Sequence, residues 1–408
     1  MTAREYPVFT VTPKAERSLR AGHPWVYGEE VTAVAGAYEN GDMVDVVNNK
    51  GRYLGTGWVN DHSKIRVRII SRNTNDTFDE TFFRRRVRYA LDYRKTVMGE
   101  TDYRCCRLIF GEADQFPGLT VDRFENVLVA QVLSLGMERR KDWVYRALVE
   151  LLREDGEEID AIYERNDAAL RSLEGLEQGK GFYPMEGLRT DLDGHVTITE
   201  NGIKYDVDYI EGQKTGFFLD QKYNRLAAAK LARGRRVLDC FTHTGAFALN
   251  AAAAGAEHVT AVDVSAFALE LAAENGRKNG LTNLDYKCAD VFDLLTEMAN
   301  EKKCDYDYII LDPPAFTKSR ATAKNAYNGY KEINRKAMQL LPRGGYLATC
   351  SCSHFMTDEM FRKMLREAAA DAGVTLRQIE ARQQAPDHPI LPEVPETDYL
   401  KFYLLQVV

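Results

Sequence analysis

The sequence predicts an α/β protein: a doubly wound parallel sheet in its C-terminal half, preceded by a small β-barrel and an α+β middle domain. Three patterns carry this reading. Residues 1–75 hold short period-two strands punctuated by glycine, the spacing turns helical near Thr77, and strand alternates with helix from Arg235 onward. With 408 residues, 45% hydrophobic and 28% charged, the chain can bury a core in each part and falls outside the disordered and low-complexity classes.

In the first part, 1–75, the segments MVDVVN, RYLGTGWVN and KIRVRII alternate, with Ile65, Val67 and Ile69 set against Lys64, Arg66 and Arg68. Frequent glycines supply the turns a small barrel requires. The row Lys64, Arg66, Arg68 is either a phosphate-facing strip or a solvated strand face. From Thr77, TFFRRRVRYALDYRKTV puts Phe82, Phe83, Val87, Ala90 and Leu91 on one helical face, with Arg84, Arg85, Arg86 and Arg88 mainly around the other side. The strands RLIFGEADQ and LTVDRFENVLVAQVL and a helix over KDWVYRALVELLRE complete a middle domain, 76–184. HVTITENGIKYDVDYI then reads as a hairpin turning at Asn201-Gly202. The third domain, 185–408, takes its strands from RRVLDCF, HVTAVDV, LDYKCADV, DYDYIILDPP and GGYLATCSCS. Helices lie between them, and a last helix and terminal strands follow.

Net charge is −7, from 54 Lys+Arg and 61 Asp+Glu, which speaks against a surface that coats nucleic acid throughout. The first 110 residues are locally basic on an acidic body, a distribution that suits an anionic polymer or an ordinary solvated face. Seven scattered cysteines form neither a disulfide framework nor a zinc-spaced ligand set, so no metal is expected. No apolar run reaches the length of a membrane span and MTAREYPVFT lacks a secretory h-region, so a cytoplasmic location and no membrane partner are expected.

The chemistry gathers at the carboxyl ends of the expected parallel strands. The loop Asp239–Gly245, DCFTHTG, is neither G-x-G-x-x-G nor a P-loop, yet Gly245 at the helix entrance permits close backbone approach. Asp239, Asp263 and Asp290 end three consecutive strands. Together they suit a ligand with ribose hydroxyls, an adenine amine and a cationic amino-acid portion, which S-adenosylmethionine (SAM) combines. The lesser alternative, for each taken singly, is a helix N-cap. The fourth strand ends Asp312-Pro313-Pro314-Ala315-Phe316, a stiff turn that can present a carbonyl and a flat aromatic to a base. The fifth ends Cys350-Ser351-Cys352. C5 of a pyrimidine becomes nucleophilic only after a thiolate adds to C6, so a cysteine at this mouth is a candidate nucleophile. The alternative is a small buried residue.

DPPAF resembles the [DN]-P-P-[YFW] motif of class I SAM-dependent methyltransferases that act on nucleic acid, with one residue inserted. The joint pattern resembles the bacterial ribosomal large-subunit RNA methyltransferase I family over essentially the whole chain. GHPWVYGEEV and GRYLGTGWVN look like that family's RNA-binding PUA domain, and FGEADQFPGLTVDRFENVLVAQ like its middle domain. EGQKTGFFLDQKYNR (211–225), DCFTHTGAFALNAAAAGA, DPPAFTKS and TCSCSHF look like its Rossmann-like catalytic domain.

The resemblance implies 5-methylcytidine formation in 23S ribosomal RNA, with SAM as cofactor, large-subunit ribosomal RNA as partner, and a homodimer. It makes Cys352 the nucleophile, while Cys350, on the same face of an extended strand, stays a contender. It places Asp239, Phe241, Gly245, Asp263 and Asp290 around SAM, Thr215, Gly216 and Phe217 on the cofactor's other side, and Asp312 by the methyl group and base. Pro313, Pro314 and Phe316, with Lys64, Arg66 and Arg68, are the candidate substrate contacts. DPPAF lacks the second cysteine by which the other large group of 5-methylcytidine enzymes releases product. A non-cysteine base is therefore required, and Asp312, His354 and His388 are the candidates. The Pro-rich stretch 385–401 is either a cap on the cleft or a stiff surface loop. Two rivals stand beside this reading: methylation of a purine nitrogen with both cysteines structural, and a non-catalytic RNA-binding factor.

Overall fold

The computed structural model describes residues 5–301, 304–317 and 320–408. The chain divides into two units. The first runs to Ile198 and takes in Val207–Leu219 and Pro386–Thr397; the second comprises Thr199–Asp206, Asp220–Ala385 and Asp398–Val408. The hairpin expected at Asn201-Gly202 forms between His195–Glu200 and Ile203–Asp208. Both turn residues are left-handed, at φ 54° and 78°, as a two-residue type I′ turn demands.

The first unit carries two sheets. Six strands lie in the spatial order Trp25–Tyr27, Ile65–Ser71, Tyr53–Val59, Met43–Val47, Val8–Val11, Val31–Ala35. Val67 and Ile69 pack with Phe9, Val11, Val26, Val44, Val46 and Val59, so the period-two pattern finds its core. A second sheet follows the order Gly179–Phe182, Ala161–Asn166, Val127–Val132, Leu119–Phe124, Cys105–Phe110. Val127–Val132 and Ala161–Asn166 are parallel, and the helix Lys141–Glu154 is the crossover such a pair needs.

The helix Glu80–Val97 starts where the Asp79 carboxylate accepts the Phe82 N–H at 3.0 Å. It buries Phe82, Phe83, Val87, Ala90 and Leu91, the face the spacing predicts. Two of its arginines meet carboxylates at the neighbouring helix: Arg84 pairs with Glu150 at 2.6 Å, and Arg88 with Asp155 at 2.7 Å.

The second unit is built on a seven-stranded sheet in the order Leu284–Cys288, His258–Asp263, Arg236–Cys240, Tyr308–Leu311, Tyr346–Ser351, Lys401–Val407, Leu376–Arg382. The first five strands are parallel, and Lys401–Val407 runs antiparallel to both of its neighbours, Tyr346–Ser351 and Leu376–Arg382. Strands covered on both faces need apolar residues in both alternating sets. Accordingly Val237, Val259, Tyr308, Ile310 and Ala348 pack toward the helix Ala246–Ala253. Leu238, Val262, Ile309, Leu311 and Leu347 pack toward the helices Val291–Glu301, Ala323–Leu340 and Asp358–Ala372. The strand order reverses between Arg236–Cys240 and Tyr308–Leu311. Ligands of open α/β sheets bind in the crevice outside the carboxyl ends at such a point.

Candidate active site

Past Cys240 the chain turns left-handed at Phe241, His243 and Gly245, with φ of 63°, 51° and 85°. Two non-glycine residues in this region store strain and persist only where neighbours hold them. Asp239 and Asp263 do the holding. One Asp239 oxygen accepts from the Thr242 hydroxyl at 2.5 Å and from the Ala248 N–H at 2.9 Å. Asp263 accepts the His243 N–H at 2.8 Å and, through its other oxygen, the Ser265 N–H at 2.9 Å. Gly245 answers to packing as well as to φ, since a Cβ there would stand 2.9 Å from that of Ala272.

Asp239 is fully buried, its second oxygen lacks a hydrogen-bond partner, and burial raises its carboxyl to about 7. Asp290 is exposed and accepts the Phe292 and Asp293 N–H groups at 2.8 and 3.2 Å, which makes it the cap of the helix Val291–Glu301. Each oxygen of Asp263 keeps a lone pair for a ribose hydroxyl. With the strained loop and the uncompensated Asp239 oxygen, this set of groups fits SAM.

Asp312 follows the fourth strand, and its orientation is dictated by a chain of amides. An arginine can only donate. Arg382 Nε donates to Asn224 Oδ1 at 3.0 Å, so Asn224 Nδ2 donates to Gln221 Oε1 at 2.6 Å. Gln221 Nε2 is then left to donate to Asp312 Oδ1 at 3.0 Å. Burial first, and then the nearby Asp220 carboxylate, raise Asp312 to about 6, against the opposing effects of Arg225, Gln221 and Cys350. Arg225 is itself buried in an ion pair with Glu200 at 2.5 Å. These groups were missed in the sequence, although DQKYNR lies inside the segment quoted for the resemblance. The available signal was the polar set Gln221, Asn224 and Arg225 at helical spacing, all three of which are buried.

The two cysteines of the fifth strand have different surroundings. Cys350 is fully buried and donates its hydrogen bond to Asp312; burial pushes its thiol well above the usual range. Cys352 lies just past the strand's end at Ser351, partly exposed, with its Sγ 4.0 Å from the Pro313 carbonyl oxygen. Pro313 is buried and Pro314 exposed. The Phe316 ring packs 4.5 Å from that of Tyr330 and 5.7 Å from that of Phe292. Lys318 and Ser319 of DPPAFTKS lie outside the described residues.

Most of the remaining candidates fall in the first unit. Thr215, Gly216 and Phe217 are buried there, and the Thr215 hydroxyl donates to Asp122 at 2.6 Å. Gly216 has φ 122°, and a Cβ would meet Val207 at 2.7 Å. His388 is buried beside Asp387 at 2.9 Å, whereas His354, in the second unit, is exposed. Pro386–Thr397 is tied in rather than loose: Asp387 accepts the Arg107 N–H at 2.9 Å and its carbonyl accepts from Arg94, also at 2.9 Å.

Lys64, Arg66 and Arg68 do not form one solvated row. Lys64 is exposed, Arg66 pairs with Asp61, and Arg68 is mostly buried between Glu174 at 2.8 Å and Glu112 at 3.4 Å. Among the described residues no group of three or more His, Cys, Asp or Glu could hold a metal, and no helix is long and apolar enough to cross a membrane.

Residues 9–72 match the model of a PUA-like domain, and residues 185–405 that of an S-adenosylmethionine-dependent methyltransferase. The fold is shared with a chain from Streptococcus mutans described as a SAM-dependent methyltransferase, at TM-score 0.81 and 22% identity, covering 98% of this chain and 100% of that one. The ribosomal RNA large subunit methyltransferase I of Shewanella denitrificans is 42% identical, covering 97% of this chain and 98% of its own length. That of Pseudoalteromonas atlantica is 40% identical, covering 98% and 99%. Likeness of this degree over nearly the full length means that the chain belongs to the ribosomal RNA large subunit methyltransferase I family.

Proposed function

We propose that this SAM-dependent methyltransferase acts on large-subunit ribosomal RNA and forms 5-methylcytidine through a covalent adduct of Cys352. The names of its relatives support the substrate class, and the PUA-like domain supports RNA as the partner. The chemistry rests on the contrast between the two cysteines. A thiol that attacks a base needs access and a route to its thiolate. Cys350, buried and bonded to Asp312, has neither, while Cys352 stands partly exposed beside Pro313.

SAM, when bound, supplies an electrophilic methyl group; Asp239, Phe241, Gly245, Asp263 and Asp290 would hold it. A flipped-out cytosine would lie against Pro313, Pro314 and Phe316. The Cys352 thiolate forms a C–S bond to C6, and the displaced π electrons make C5 a carbon nucleophile; C5 would take the methyl group as the methyl–sulfonium bond breaks, its electron pair staying on the sulfur of the departing thioether. The C5 proton then goes to a base, its electron pair re-forms the C5–C6 double bond, and the C–S bond breaks to return the thiolate. Of the three candidate bases, Asp312 is assigned this proton: it belongs to the same mouth, and a carboxyl near 6 suits general-base work close to neutrality.

The test incubates wild type, Cys352→Ala and Cys350→Ala with labelled SAM and undermodified large-subunit RNA, and identifies the methylated nucleoside by mass spectrometry. 5-Methylcytidine lost in Cys352→Ala and retained in Cys350→Ala is expected. A methylated purine unaffected by either change, or RNA binding without methyl transfer, refutes the proposal.

A further inference from the structure

The antiparallel register of the last strands pairs Ser351 with Lys401, which brings a lysine 49 residues distant in sequence to the strand end that carries Cys352. Lys401 is 4% exposed. An ammonium has three N–H donors. Two of those on Lys401 go to the Ser353 carbonyl at 2.7 Å and the Tyr399 carbonyl at 2.8 Å. The charge therefore sits on the turn immediately after Cys352, within electrostatic reach of its sulfur. A full cation that has given up most of its hydration for two carbonyls is a costly choice for stapling a turn; a neutral donor would serve. The proposed reaction nevertheless requires a negative sulfur at this point.

We infer that Lys401 is a positioning residue for Cys352: its ammonium stabilises the thiolate and fixes the turn that presents it. This rests on the reading of Cys352 as the nucleophile. The thiol proton leaves to bulk water and Lys401 keeps its own. Burial lowers Lys401 to about 8, so it remains mostly charged at neutral pH. Asp398 and Asp358 face the ammonium and weaken its field, while Cys350 and Tyr330 face Cys352, and Asp312 lies beyond Cys350. These groups are acidic or neutral, and Lys401 is the cation that couples to this sulfur among the described residues.

The experiment follows iodoacetamide alkylation of the Cys352 peptide by mass spectrometry from pH 5 to 10, on the whole protein without RNA. Wild type, Lys401→Met, Lys401→Gln and Lys401→Arg are compared. The expected wild-type midpoint lies below the free-thiol value of about 8.5. It rises by about one pH unit or more in the Met and Gln variants, a tenfold loss of thiolate at neutral pH, and returns toward wild type with Arg. A wild-type midpoint at or above the free-thiol value overturns the inference even if no Lys401 variant folds. So does a fall in melting temperature and methyl transfer with an unmoved midpoint. Trapping with 5-fluorocytosine RNA is run alongside. Trapping lost in Cys352→Ala with an unmoved midpoint overturns the role of Lys401 alone, and trapping that persists in Cys352→Ala overturns the nucleophile reading beneath it.

Discussion

Burial raises the Asp239 carboxyl to about 7, whereas an unfolded aspartate titrates near 3.9, so between these values the folded chain holds the proton more tightly. The sign follows: Asp239 makes stability fall as pH rises from about 4, and the loss is complete above about 7. Asp239→Asn removes the titration and keeps the shape. Its melting temperature in the absence of cofactor is expected to change less than that of wild type between pH 5 and 8; parallel curves would sink this account. Asp312, raised to about 6 and fixed by Gln221, carries the corresponding kinetic prediction. Asp312→Asn is expected to lower kcat by about 10² or more and to erase an inflection near pH 6, in line with the usual yield of a general base.

The loop between the first parallel strand and its helix depends on one glycine. Gly245→Ala meets both the left-handed penalty of about 1–2 kcal/mol and a Cβ contact at 2.9 Å with Ala272. It is expected to lower stability by at least that amount and to weaken S-adenosylhomocysteine binding in calorimetry; unchanged affinity would detach this loop from the cofactor. In the first unit, Arg94 is fully buried, pairs with Asp114 at 2.5 Å and donates to the Asp387 carbonyl. Asp114→Ala leaves that charge without its partner, and a loss of about 3–5 kcal/mol in denaturant unfolding is expected. The exposed Arg84 pairs with Glu150 and Glu154 are worth about 0–1 kcal/mol each, so the two kinds of arginine separate cleanly in the same assay.

For the molecule as a whole, net charge −7 leaves RNA affinity to local basic groups rather than to a general positive field. Lys64 is exposed, while Arg68 is neutralised by Glu174 and Glu112. Lys64→Gln is therefore expected to reduce the slope of log affinity against log salt by up to about 0.7–0.9, and Arg68→Gln to lower melting temperature with little change in that slope. The reverse pattern would show Arg68 leaving its carboxylates for phosphate.

Short-range periodicity was enough for the elements. The alternation at Val67 and Ile69, the helical face of Phe82 to Leu91, the Asn201-Gly202 turn and the α/β order after Arg235 are properties of neighbouring residues, and local sterics and burial enforce them. The strand-end acids and the CSC and DPPAF elements were legible for the same reason. Tertiary structure alone decided which of two cysteines two residues apart is exposed, because the fifth strand stops at Ser351 and buries only the first of them. It also decided that Arg68 meets carboxylates, that Gln221 orients Asp312, and that Lys401 arrives beside Cys352. Each of these depends on segments brought together across tens of residues, where burial and electrostatics act through space and leave no period in the chain.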